Sequence, residues 1–150
     1  VFDTDVTNGI VFHLGELVSG ERELHTVRVP DEKSIEKDPL LLHASPEVMY
    51  DPRKSSLKSF VLEKGKAGRA YYLTAGDVIT LTEDLFTDKP VVGEYVVPTP
   101  GSNKLSPSAD GTVTKSDDSK IEPRFKAKVI EETTLGFDGD KAYVIKVEKA

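Results

Sequence analysis

The chain has 150 residues, 20 Lys+Arg against 26 Asp+Glu for a net charge of -6, and no cysteine. The missing thiols exclude disulfide scaffolds, thiolate metal sites and cysteine nucleophiles. The acidic balance argues against direct binding of a nucleic-acid backbone, and no apolar run reaches the ~20 residues of a membrane span. A hydrophobic content of 37% with 31% charged residues points to a thin core or to burial against a partner.

The opening residues, Val1 to Asp5, are acidic and short of apolar side chains, unlike a secretory or transit peptide. Gly9–Leu14 and Leu24–Val29 read as strands, whereas Asp31–Lys37 offers a turn or two of helix ended by Asp38-Pro39. Leu40–Leu42, Glu47–Tyr50, Ser59–Leu62 and Ala70–Leu73 are short apolar pieces, with Pro39, Pro46 and Pro52 closing the first two and the turn-like Gly65-Lys66-Ala67-Gly68 between the last two. These interruptions predict an N-terminal arm or subdomain of short strands over 1–65 and a compact β domain over 66–150.

The second half is more regular. Asp77–Thr82 is rich in β-branched residues after the Ala75-Gly76 turn, and Val91–Val97 lies between Pro90 and Pro98. Arg124–Glu131 and Lys141–Glu148 alternate charged and apolar residues, the period-two mark of strands with one wet and one packed face. Thr133–Asp140, with two glycines and an Asp-Gly step, predicts a hairpin connection between them. The stretch Thr99–Glu122 is a long loop broken by short strands at 103–105 and 111–114, expected to be exposed or to touch a partner. The predicted fold class is mainly β, a small β-barrel or β-sandwich-like domain with an extended N-terminal arm and little helix.

No catalytic constellation emerges. His13, His25 and His43 lack the spacing of a helix-borne ligand pair. The Gly65–Gly68 loop lacks the Gly-Lys-Ser/Thr ending of a phosphate cradle, and Asp138-Gly139-Asp140 lacks the other ligands of a calcium loop. Asp117-Asp118 reads as solvated loop charge. Glu83-Asp84 and Glu131-Glu132 are adjacent carboxylates; neighbours on a strand point to opposite faces, so neither pair forms a glycosidase dyad by itself. No catalytic, cofactor-binding or metal-ligating residue is assigned, and no cofactor is expected. Tyr71 and Tyr72 are expected to put one ring in the core and one at a surface or interface.

The succession Ala70–Thr82, Val92–Pro98, Lys104–Pro107 and Phe125–Glu131, closing on the last strand before Ala150, resembles the strand-and-turn order of tailed-bacteriophage capsid decoration (cement) proteins and related head structural proteins, over about residues 66 to 150. The resemblance implies a β-tulip-like module that clamps an icosahedral shell without enzymatic activity, often as a homotrimer, with the major capsid protein as partner. It implies location on the virion surface, and in the host cytoplasm during assembly. The expected partner-interface residues are Phe2, Ile10, Val11, Phe12 and Leu14 of the arm together with Tyr71 and Tyr72. A tail or head-tail connector component and a surface carbohydrate-binding β module, with Tyr71, Tyr72, Tyr95 and Tyr143 along a shallow groove, stand as alternatives.

Overall fold

A computed structural model describes residues 1–48, 51–54, 60–136 and 139–150. The expectations for Met49, Tyr50, Ser59, Phe137 and Asp138 lie outside the described residues. Among the described residues the secondary structure is mainly β, with two short 3-10 turns (Pro52–Lys54 and Glu83–Leu85) and no α-helix. The strands are β1 (Val11–Leu17), β2 (His25–Arg28), β3 (Leu41–His43), β4 (Ala70–Tyr72), β5 (Val78–Thr82), β6 (Tyr95–Pro98), β7 (Leu105–Ser108), β8 (Val113–Thr114), β9 (Lys120–Ile121), β10 (Lys126–Leu135) and β11 (Asp140–Lys149).

They form antiparallel sheets in the orders β2-β1-β3-β4, β5-β11-β10-β6-β7 and β8-β9. The long hairpin β10–β11 anchors the second sheet. Its alternation does what the pattern predicts: Ala127, Val129, Ile145 and Val147 are buried, while Lys128, Lys146 and Glu148 stay exposed. A bulge between Val129 and Glu131 shifts the register and leaves Ile130 exposed. The turn is tighter than Thr133–Asp140, because Thr133, Thr134 and Leu135 still pair with Ala142, Lys141 and Asp140. Gly136 and Gly139, both at positive φ, supply the reversal. The expectation of a turn or two at Asp31–Lys37 is met by two successive hydrogen-bonded turns, in which the Ile35 amide donates to the Asp31 carbonyl and the Lys37 and Asp38 amides to the Ser34 carbonyl, without a regular helix.

The five-stranded sheet does not close as a barrel. The chain running on from β5 meets β7 through the parallel bridge Phe86–Leu105, where the Thr87 amide donates to the Leu105 carbonyl at 2.9 Å, and through the Thr87 hydroxyl, which donates to Ser106 Oγ at 3.0 Å. Tyr143, Phe125, Phe86 and Leu105 fill the main core, with the Phe86 ring edge-on to Tyr143.

Residues 1–65 and 66–150, set apart at the level of sequence, share both a sheet and a core. β3 pairs with β4 across that boundary, and Val11 and Leu40 belong to the main cluster. Asn103 clasps β1 in both directions: its carbonyl accepts the Val11 amide, and its side-chain amide donates to the Val11 carbonyl at 2.8 Å. The thin core expected from composition is thus assembled from both halves. Two smaller clusters flank it: Ile35, Val97, Val113 and Ile121 under the 99–122 region, and Phe2, Phe12 and Leu41 beneath the N-terminal segment.

Candidate functional site

The seven residues expected at a partner interface separate sharply. Phe2, Val11 and Phe12 are buried inside this chain, which corrects their assignment: a side chain enclosed by its own fold presents no surface to a partner. Ile10 and Leu14 are partly buried against the same clusters. Tyr71 and Tyr72 remain at the surface, 52% and 54% exposed.

The topology explains the pair. β4 is the last strand of its sheet, and Tyr71 and Tyr72 lie opposite Leu42 and Leu41 of β3. Leu41 belongs to the N-terminal cluster and Leu42 packs on the main core, so both sheet faces are covered as far as β3. One strand further out the cover ends, and the two rings, on opposite faces, both emerge. This corrects the expectation of one core ring. The Leu73 amide bonds back to the Leu40 carbonyl, and the Ala44 amide to the Arg69 carbonyl. By the alternation of antiparallel pairing, the main-chain groups of Ala70 and Tyr72 then turn to the open side of β4. Tyr143 and Tyr95 join Tyr71 and Tyr72 in no shared platform: Tyr143 is 0% exposed, and Tyr95, on a different sheet, lies under the Lys126 ammonium at 4.7 Å.

The three histidines lie on strands β1, β2 and β3, and their hydrogen-bond partners come from elsewhere in the chain. His13 and His43 are buried, and His25 donates from Nδ1 to the Gly15 carbonyl from a half-buried position on β2. His43 is the most fully engaged. Its Nδ1 meets the Thr7 carbonyl and its Nε2 the Ser45 hydroxyl, each at 2.8 Å. A carbonyl only accepts, so Nδ1 carries the proton and Nε2 accepts from Ser45 Oγ. Ser45 Oγ in turn accepts the Arg69 amide at 2.8 Å. Desolvation holds the His43 pKa below its ordinary value, against the favourable Thr7 carbonyl. Gly68 lies directly over this pair: an added Cβ would sit 3.1 Å from His43 Nε2 and 3.2 Å from Ser45 Oγ. The turn 65–68, read from sequence as a plain connection, must therefore keep a glycine at 68 for close approach. The spacing His43-x-Ser45 carries no signal in sequence, since it becomes meaningful only when Thr7 and Arg69 arrive from elsewhere. Among the described residues no group of three or more His, Asp or Glu is placed to hold a metal ion.

The 99–122 region is tied down rather than free. β7 and β8–β9 occupy much of it, and Val113 and Ile121 pack on Ile35 and Val97. A hydroxyl-rich groove of about 460 Å³ runs past Thr99, Ser106, Ser108, Thr112, Asp110 and Lys120. Asp110 organises its end: it accepts from Ser108 Oγ, from the amide and hydroxyl of Thr112, and from Lys120 Nζ at 3.2 Å. These bonds, the Thr112 hydroxyl first, hold its carboxyl far below the usual carboxylate range. Ser119 similarly depresses Asp117, so that carboxylate serves its own loop. Glu131 and Glu132 are exposed on β10, with Glu132 3.7 Å from Lys141.

Comparison of the chain with protein-family models, with curated proteins and with solved structures finds no match. Among the described residues no helix is long and apolar enough to cross a membrane.

Proposed function

We propose that this chain is a non-enzymatic structural protein of a tailed-phage particle that docks on the outer capsid lattice and stabilises the head by bridging neighbouring major capsid proteins. The observation that carries the reading is the open edge of β4, where Tyr71 and Tyr72 stand half exposed on opposite faces beside outward-turned main-chain groups. An open edge of this kind accepts an extended segment of a partner as an added strand, and flanking tyrosines supply apolar area with a polar tip. Self-association into a trimer would multiply the contact, because several weak edges acting on one repeating surface give avidity without a strong single site. The reading also draws on the succession of strand and turn motifs in the sequence of 66–150, which resembles that of decoration proteins. A tail or connector role uses the same edge and differs in copy number.

The test is quantitative mass spectrometry of purified particles, followed by add-back of the chain to shells stripped of it. The reading expects copies stoichiometric with the capsid lattice, and shells that regain resistance to heat, chelators and osmotic shock. Tyr71→Ser with Tyr72→Ser should abolish co-sedimentation while leaving the fold intact by circular dichroism. A handful of copies per particle would move the protein to the tail or connector. Failure of the unaltered chain to sediment with shells at any concentration would overturn docking itself.

A further inference from the structure

The first nine residues form no regular strand, and a short set of contacts holds them to the rest of the chain, beginning with the Val1 amino group, which donates to the His25 carbonyl of β2 at 2.6 Å. The Val6 and Leu62 main chains exchange two hydrogen bonds, the Gly65 amide donates to the Phe2 carbonyl, and the Lys64 amide donates to the Asp5 carboxylate. Closer to β3, the Gly9 amide donates to the His43 carbonyl, while Asn8 and the Ser45 main chain exchange two bonds of 2.8 and 2.9 Å. The His43 ring stands at the centre of this set. It bonds Thr7 on one side and Ser45 on the other, and packs edge-on against Phe2 with 5.1 Å between ring centroids. Phe2 in turn lies edge-on against Phe12, again at 5.1 Å.

We propose that His43 is an acid-labile latch: neutral, it fastens residues 1–9 onto β3 and the 62–65 turn, and protonated, it releases them and bares the Phe12–Leu41 face. The reason is the donor and acceptor count. A proton on Nε2 turns the ring's only acceptor into a donor. Ser45 Oγ can receive that hydrogen, but its own hydroxyl hydrogen then loses its acceptor in a buried position, and a charge is left against the Phe2 ring. The charged or titratable groups on the packed segments are the Val1 amino group, Asp3 and Asp5 on the N-terminal segment, Glu63, Lys64, Lys66 and Arg69 on the 63–69 turn, His13 on β1, and His25 on β2, whose carbonyl takes the Val1 amino group. Of these, the Val1 amino group acts on the ring, with the sign that disfavours the imidazolium. Asp5 takes the Lys64 amide, and His13 bonds the Pro39 carbonyl. With the segment gone, Phe12 and Leu41 lose the Phe2 cover and become an apolar patch on the sheet that ends in β4.

Hydrogen exchange followed by NMR tests the latch on the unaltered chain. Corrected for intrinsic rates, the amides of Val6, Gly9, Leu62 and Gly65 should lose protection by at most tenfold per pH unit, and up to about 30-fold between pH 7.5 and 5.0, the ceiling for one proton on a group of ordinary pKa about 6.5. The β10–β11 amides should keep theirs. In H43Q, which can still meet Ser45 but does not titrate, the pH dependence of these four amides should fall sharply, leaving only what the desolvated Val1 amino group contributes. Protection that is independent of pH, or lost together with β10–β11, overturns the proposal, as does a folded H43Q that keeps the pH dependence. Should H43Q not fold, the comparison of the two sets of amides in the unaltered chain decides alone.

Discussion

Tyr143 carries a hydroxyl that the fold encloses without a partner. The residue is 0% exposed, and its Oη has no hydrogen bond, while the ring packs edge-on against Phe86 in the main core. Burying a hydroxyl without compensation costs about 1–3 kcal/mol. Tyr143→Phe keeps the ring and deletes that cost, leaving a void of one oxygen atom. The variant should therefore be more stable by about 1 kcal/mol, a gain of about 2–4 °C in melting temperature for a chain of this size. Most core substitutions destabilise, so the sign is the sharp part. Urea unfolding is the assay, with an unchanged m-value required for the comparison. Alkaline pH supplies a second readout. Desolvation, reinforced by Glu132 and Glu83 and opposed by Lys141, raises the Tyr143 pKa above its ordinary value. The folded state then holds a proton that the unfolded chain releases above about pH 10, so this group costs stability as pH rises past that point. Tyr143→Phe should lose less stability than the wild type there. A variant destabilised by more than about 1 kcal/mol at pH 7 would mean that the hydroxyl is satisfied in the folded protein and is no orphaned group.

Gly9 and Gly76 both sit at positive φ, +95° and +96°, but a Cβ at 9 would lie 2.3 Å from the buried Leu85 whereas one at 76 meets nothing within 4 Å. Gly76→Ala should cost only the backbone strain, about 1–2 kcal/mol, and Gly9→Ala about 1–3 kcal/mol more through overpacking; equal losses by urea denaturation would show that Leu85 moves aside freely. Asp110→Asn should loosen β8–β9, seen as faster exchange of the Thr112 amide, with little change in overall melting because the site lies at the surface. Since the Asp110 carboxyl titrates far below its ordinary range in the folded state, its contribution is present above the usual carboxylate pKa and fades as pH falls, so variant and wild type should converge in acid. Exchange at Thr112 that is identical at neutral pH would refute the role given to this carboxylate.

Those parts of the fold that depend on local pattern were legible in the chain before folding was considered. Period-two alternation in Arg124–Glu131 and Lys141–Glu148 and the glycines between them were enough for the β10–β11 hairpin, and the repeated prolines were enough to rule out long helices. Alternation says that one face of a strand is packed, not what packs it. Only the tertiary structure decided that Ala70–Tyr72 and Val78–Thr82, five residues apart, enter different sheets, that Val11, Phe2 and Phe12 turn inward rather than toward a partner, and that Tyr71 and Tyr72 emerge together where the cover of the sheet ends. The His43 site shows why most plainly. Thr7, His43, Ser45 and Gly68 span 62 residues of the chain, and their chemistry is a matter of distances that a linear pattern does not contain.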